Sequence, residues 1–328
     1  MNAKDTAQQW AAAVNLLTIG ATSAQGGTRG KAVTVGGARC LPWLSYEGEV
    51  GRKPAIAVEV WDAGTEAWPE ELSKQYGDVI KDPVAWARKG EELGADLICL
   101  RLMGAHPDVA DTGADEAVAV VKSVLEAVTL PLIIWGCGVE EKDNVVLPKC
   151  SEAANGENCL FGTILEKNYR TLVAACLADG HKLVAESPLD INIAKQVNIL
   201  AHDAGYPLEN LVIWPQTAAL GYGSEYVYSI MERGRLAGLG GDPLMQQPVL
   251  CDVGFEAWRA KEASADEQAL PGFGPAEKRG PLWETITATN CLQAGAEILI
   301  LRHPEAVGMV KKAVDRLCAE GKDVADPV

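Results

Sequence analysis

From residue 54 onward, apolar β-branched runs alternate with amphipathic stretches. The first run is AIAVEVWD, at 55–62, followed by DLICLRLM at 96–103, PLIIWGCG at 131–138 and NCLFGTI at 158–164. Four more complete the series: HKLVAES at 181–187, NLVIWPQT at 210–217, PVLCDVGF at 248–255 and EILILRH at 297–303. Each has the length and composition of a buried strand. Between them lie helical patterns. DPVAWARKGEELGA carries Asp82 as N-cap, Pro83 at the first helical position and Gly94 near the end. GADEAVAVVKSVLEAV, NYRTLVAACLADG, DINIAKQVNILAHDAG, SEYVYSIMERGRLAGL, PLWETITATNCLQAGA and PEAVGMVKKAVDRLCAEG show the same apolar spacing. Residues 142–155 read as a polar stretch, and a long polar loop runs to about Lys278.

Continuous apolar strands, each followed by a helix, imply a parallel sheet covered on its outside. Eight such units match a (β/α)₈ TIM barrel. The rival is an open, doubly wound sheet, whose first strand is normally followed by a glycine-rich phosphate turn; no GxGxxG follows Glu59–Gly64. The expected organisation is therefore an N-terminal extension over 1–53 and a barrel over 54–328. Within the extension, GKAVTVGGARCLPWL suggests a hairpin with Val33–Val35 as one arm and Gly36-Gly37 as its turn. Such a hairpin plugs the bottom of a barrel or meets a partner.

Charge narrows the choice of partners. Asp and Glu number 45 against 29 Lys and Arg, a net charge of −16. That balance excludes a phosphate-backbone binder and disfavours anionic membrane surfaces. The first twenty residues lack the pattern of a signal peptide, and no apolar run reaches ~20 residues, so a cytoplasmic protein without membrane contact is expected. Nine cysteines are scattered with no CxxC pair, which spells neither a zinc site nor a ferredoxin-type cluster. Reduced, buried thiols are the expectation.

In a barrel, chemistry gathers where strands end. The residues delivered there are Asp62, His106, Cys137, Glu186, Gln216, Asp252, Arg302 and His303. No lysine lies among them to form a Schiff base. Of four histidines, His181 starts a strand and His202 lies in a helix, leaving His106 and His303, too few for a metal site. Cys137 needs a base or a helix N-terminus to act as a nucleophile, and otherwise is a small residue in a turn.

The stretches TAALGYGSEYVYSIMERGRLAGLGGD, SPLDINIAKQVNILAHDAGYP, RGPLWE and AGAEILILRHPEA, at 217–242, 187–207, 279–284 and 294–306, carry a more specific signal. With the EVWD strand they span most of 54–306, and this whole region resembles the small (delta) subunit of the corrinoid iron–sulfur protein of the acetyl-CoA synthase/decarbonylase system. The resemblance implies a (β/α)₈ barrel paired with a large subunit that carries a [4Fe–4S] cluster and holds most of a cobamide. The barrel would cover the methyl face of that cobamide. The heterodimer would take a methyl group from a methyltetrahydrofolate or tetrahydrosarcinapterin methyltransferase and pass it to acetyl-CoA synthase. It implies no catalytic group and no metal ligand in this chain. The DxHxxG lower-ligand motif of corrinoid domains fails at Val184 after Asp179 and His181, and at Leu200 before His202. On this reading the C-terminal rim faces the corrin. Gln216, Thr217, Tyr222 and Gly223 lead the expected contacts, with Asp190, Asn192, Asp252 and His303 behind them. Two alternatives stay open: a pterin-binding methyltransferase on the same barrel, and a lyase using Glu186 or Asp252 as general base.

Overall fold

The structure, a computed structural model, describes residues 7–323; residues 1–6 and 324–328, the outer ends of the expected extension and barrel segments, lie outside the described residues. Eight parallel strands form one sheet: β3 (Ala55–Trp61), β4 (Leu97–Arg101), β5 (Leu132–Trp135), β6 (Leu160–Ile164), β7 (Lys182–Glu186), β8 (Leu211–Trp214), β9 (Leu250–Asp252) and β10 (Ile298–Leu301). Their order is β8-β7-β6-β5-β4-β3-β10-β9, and a single bridge between Ile213 and Val249 brings β8 to β9. The result is a nearly closed (β/α)₈ barrel with one seam.

Helices surround it: α1 (Glu70–Ser73), α2 (Pro83–Glu92), α3 (Ala114–Ala127), α4 (Glu140–Ala153), α5 (Tyr169–Asp179), α6 (Ile191–Asp203), α7 (Ser224–Leu239), α8 (Val253–Ala257), α9 (Lys261–Ser264), α10 (Ala276–Gln293) and α11 (Pro304–Asp323). Asp82 caps α2 through the Val84 amide, with Pro83 at its first position, as the sequence predicts. Among the described residues no helix is long and apolar enough to cross a membrane.

Three expectations about the barrel are corrected. The polar stretch at 142–155 is mostly helix: α4 buries Asp143, Val146, Leu147 and Cys150 at three- and four-residue spacing, and Glu140 and Glu141 sit in its first turn, where the helix dipole favours acids. The long loop ends earlier than expected, because α10 starts at Ala276 and continues through Pro281. The seventh strand stops at Asp252, and Val253 already begins α8.

The hairpin exists, but with another partner. β2 (Val33–Val35) pairs antiparallel with β1 (Leu17–Ile19), upstream of it, so Gly36-Gly37 is not its turn. Those glycines instead allow a close passage. Gly36 has φ +86°, and a Cβ there would lie 1.9 Å from the Asn15 carbonyl oxygen. Leu17, Ile19 and Val35 are buried against Ala55, Ala57, Leu97, Ile133, Leu160, Val184, Val212, Leu250 and Ile298, the inward residues of the strands. The hairpin is thus a plug for the N-terminal end of the barrel. Asn158 anchors it, donating from Nδ2 to the carbonyls of Thr18 (2.9 Å) and Gly20 (3.2 Å).

Candidate functional site

Side chains alternate across a strand, so each inward apolar residue has an inward neighbour two positions on. Continuing that alternation toward the C-terminal ends gives Glu59, Arg101, Trp135, Gly162, Glu186, Trp214, Asp252 and Arg302, one for each strand, with Arg302 just past the end of β10. The apolar interior therefore ends in a polar and aromatic layer. Above it opens a cavity of about 370 Å³, lined by Arg101, Trp135, Glu186, Trp214, Asp252 and Phe255, with His106, Cys137, Asp143, Thr163 and Asn168 around them.

The layer is bound together by charge. Arg101 donates from Nε to Glu59 and from an Nη to Asp252 Oδ2 (2.5 Å), and Arg302 Nε donates to the other Glu59 oxygen. Trp61 Nε1 adds a bond to Glu59 (2.9 Å). All four charged groups are buried. Burial opposes the charge on Glu59, yet the two guanidinium groups outweigh it and hold the carboxyl down at about 2. Asp252 goes the other way: burial raises it to about 6, with Arg101 only partly offsetting. Its Oδ1 has no hydrogen-bond partner among the described residues. Arg302 lies over the rings of Trp61, Trp68 and Phe255, and Arg101 over Trp135 and Phe255.

Behind the layer, the Glu284 carboxylate accepts from Trp258 Nε1 (2.7 Å) and from the amides of Arg302 (2.5 Å) and His303 (3.2 Å). Burial pushes it up to about 7. The Cys137 and Gly138 amides donate to the two oxygens of Asp143 (2.8 and 2.9 Å), which fixes the loop between β5 and α4. Burial, then Asp143, push the Cys137 thiol up to about 12, so it is not a thiolate nucleophile. Asp62 is likewise engaged, accepting the Gly104 amide (2.7 Å). The residues 302–303 turn and the Asp62 loop are thus built as framework.

The expected rim residues separate into groups. Gln216, at φ 61°, donates to Glu186 Oε1 (3.1 Å), while Thr163 donates to Glu186 Oε2 (2.6 Å). Thr217 is buried, and its hydroxyl accepts from the Asp252 amide (2.9 Å) and from Trp214 Nε1 (3.3 Å). Asp252 lines the cavity, and Gln216 and Thr217 stand behind it, bonded to the lining residues Glu186, Trp214 and Asp252. Tyr222 stands further out, 50% exposed, donating to Glu262 (2.8 Å) and accepting from the Lys261 amide (3.1 Å). Gly223, at φ 100°, is the N-cap of α7. Asp190 is the N-cap of α6, accepting from the Asn192 and Ile193 amides (2.7 and 3.3 Å), and Asn192 is exposed beside it. His303 is buried and stacked on Trp258; burial lowers it to about 4. It presents nothing to the surface. Sequence reasoning overlooked Glu59, Arg101, Trp135, Trp214 and Glu284.

Among the described residues, no three His, Cys, Asp or Glu side chains stand together as a metal site.

Residues 18–268 match the family model described as CO dehydrogenase/acetyl-CoA synthase delta subunit. The chain is 37% identical to the acetyl-CoA decarbonylase/synthase complex subunit delta of Archaeoglobus fulgidus over 98% of its own length and 72% of that protein's. It is 35% identical to subunit delta 1 of Methanosarcina thermophila, covering 98% of this chain and 74% of the other. In fold it is similar to the dihydropteroate synthase of Xanthomonas albilineans in complex with 7,8-dihydropteroate, with TM-score 0.57 and 18% identity over 84% of this chain and 95% of that one.

Proposed function

The chain belongs to the CO dehydrogenase/acetyl-CoA synthase delta subunit family, and on that premise we propose that it is the small, non-catalytic subunit of a heterodimeric corrinoid methyl carrier. Its barrel mouth covers the methyl face of a cobamide held mainly by a large subunit, which also carries a [4Fe–4S] cluster. The carrier accepts a methyl group from a methyl-pterin methyltransferase and delivers it to acetyl-CoA synthase, in the cytoplasm.

The observation that carries this reading is the size and setting of the mouth. A cavity of about 370 Å³ is near the lower limit of small-molecule sites. A corrin macrocycle with its amide arms is too large to enter it and fits only by lying across the rim. Exposed hydrogen-bonding groups such as Tyr222 and Asn192 suit contact with those amides. The donor set also suits a covering role. His303 and His181 are buried, the His106 Nδ1 accepts the Asp108 amide (3.1 Å), and His202 sits in the last turn of α6, at the end away from the mouth, so none is poised there as a cobalt ligand. When bound, the cobamide supplies the cobalt that bears the methyl group; this chain shields and orients it.

Co-expression with the large subunit tests the proposal. An equimolar complex containing cobalt and iron is expected, with a colourless chain when expressed alone. Gln216→Ala and Tyr222→Ala should alter docking or cobalt protection and reduce methyl transfer only moderately. Methyl transfer by the isolated chain overturns the non-catalytic assignment. So does a loss beyond about a thousandfold from either variant with corrinoid retained, about 4 kcal/mol on the barrier.

A further inference from the structure

The end of the barrel opposite the mouth carries a groove of about 660 Å³, lined by Leu16, Gly36, Gly37, Ser45 and the run Gly48–Arg52. These residues adjoin the plug: Leu16 precedes β1, Gly36 follows β2, and Arg52 stands just before β3. Three lengths of chain lie side by side here. On one side the Val14 amide donates to the Ala38 carbonyl (2.9 Å) and the Gly37 amide to that of Val14 (3.0 Å). On the other, the Arg39 amide donates to the Glu49 carbonyl (2.7 Å) and the Arg52 amide to that of Gly36 (2.8 Å). The run 48–52 is therefore the outermost of the three. Its glycines have a local reason. A Cβ at Gly51, φ +88°, would lie 2.7 Å from the Ala38 amide nitrogen, and one at Gly48 would lie 2.5 Å from the Arg39 carbonyl oxygen.

The other groups of the run have no such internal use. The amides of Gly48, Glu49, Val50 and Gly51 have no hydrogen-bond partner among the described residues. Solvent meets them in the free chain, and an incoming chain finds them open. Glu49 and Arg52 are both exposed and line the same groove, yet neither side chain is paired among the described residues. Leu16, 53% exposed, adds an apolar wall. The spacing of the two charges is self-complementary. An antiparallel alignment centred between Val50 and Gly51 sets position 49 of one chain opposite position 52 of another, and 52 opposite 49, as a twofold contact requires.

We propose that this groove is a docking surface for a second copy of this chain, in which the 48–52 runs of the two copies lie antiparallel and Glu49 of each pairs with the partner's Arg52. A run with one acid and one base fits its own reverse, whereas it offers no net charge to a uniformly acidic or basic segment. Nine lining residues are fewer than the roughly 20–30 a side of a stable interface, so the association is weak and reversible. Because the groove lies at the end away from the mouth, the two barrels join back to back and both mouths stay free. The inference rests on this face alone, and its failure would leave the methyl-carrier reading intact.

Sedimentation of the full chain at rising concentration, in physiological salt, tests the proposal. A reversible monomer–dimer equilibrium with Kd of about 0.1–1 mM is expected. Glu49→Arg and Arg52→Glu each turn both cross-pairs into like-charge contacts, and each should weaken the dimer about tenfold or more. The double swap, Glu49→Arg with Arg52→Glu, restores opposite pairing and should return the affinity to within about threefold of the unaltered chain. One single reversal reduces the net negative charge and the other increases it. General repulsion between acidic bodies would therefore shift the two variants in opposite directions, whereas the pairing shifts both the same way. Both side chains are exposed and unbonded, so the variants should fold, and matching thermal midpoints check that they do. A chain that stays monomeric up to about 1 mM overturns the proposal. So do a dimer that is unchanged in both single variants, opposite shifts in the two, and a double swap that fails to restore it. Repeating the series on the complex with the large subunit adds one more outcome: self-association lost there means the large subunit occupies the groove, which also overturns it.

Discussion

Replacing Ile19 by Ala tests whether the hairpin is an integral plug. Ile19 is fully buried, as are Leu17 and Val35 beside it. The change removes three carbon groups, about 2.4 kcal/mol of transfer free energy at ~0.8 kcal/mol each. The bottom of the barrel is walled by eight strands that cannot all move inward, so most of the vacated space remains. Roughly 80 Å³ at ~24 cal/mol per Å³ adds about 2 kcal/mol. The expected loss is therefore about 4 kcal/mol, near the upper part of the range for such changes. It should appear as a fall in thermal midpoint of about 5–10 °C, measured alongside urea denaturation. Leu16 is the internal control: it adjoins β1 but is 53% exposed, so Leu16→Ala should cost under ~0.5 kcal/mol. If Ile19→Ala lost less than about 1 kcal/mol, the hairpin would be an appendage that the barrel does without.

Two other changes probe the polar layer. Glu59→Gln leaves Arg101 and Arg302 without their shared carboxylate and should destabilise the chain by about 3–5 kcal/mol in chemical denaturation; a cost below ~1 kcal/mol would mean the layer tolerates unpaired guanidinium groups. Glu284 is raised from 4.5 to about 7, so in that window the folded chain binds the extra proton. Its contribution to stability is then full below about pH 4.5 and falls as pH rises through about 7, a drop of order 3 kcal/mol. Asp252, raised to about 6, acts in the same direction, whereas Glu59 contributes stability above about 4.5 that is lost toward pH 2. Denaturation between about pH 5 and pH 8 should show the decline in the wild type and a flatter profile in Glu284→Gln; identical slopes would refute the assignment.

The barrel was legible because its strands are buried on both faces and so read as unbroken apolar runs. All eight predicted segments contain an observed strand. Helix α4 was not legible in the same way. EEKDNVVLPKCSEA is polar overall and carries an internal proline, and only the spacing of its few buried residues marks a face. The hairpin was half seen. Gly36-Gly37 imitates a turn, whereas the true partner Leu17–Ile19 lies upstream across a long connection. Gln216, Thr217 and Asp252 could be placed near the mouth because they end strands. The buried charges needed a second step: Glu59 in AIAVEVW and Arg101 in LICLR interrupt apolar runs at inward positions, a period-two signal that counting strand ends passes over. That Glu59 pairs with both arginines depends on the closure of the barrel, which brings residues 243 apart in sequence into contact.

The seam between β8 and β9 bears on how wide the mouth opens. Elsewhere around the barrel, neighbouring strands are held by ladders, with one register shift between β6 and β7 at Gly162–Ile164. Here Trp214 and Asp252 stand on opposite banks, and at the level of the cavity the Thr217 hydroxyl accepts a hydrogen bond from each. The Ile213–Val249 bridge lies below them. Breaking two hydrogen bonds to one oxygen, each of modest net strength, frees the upper seam without disturbing any ladder. The barrel is thus laddered around most of its circumference and held by few bonds along one line. Its rim is a split collar whose clasp, at the level of the cavity, is a single hydroxyl.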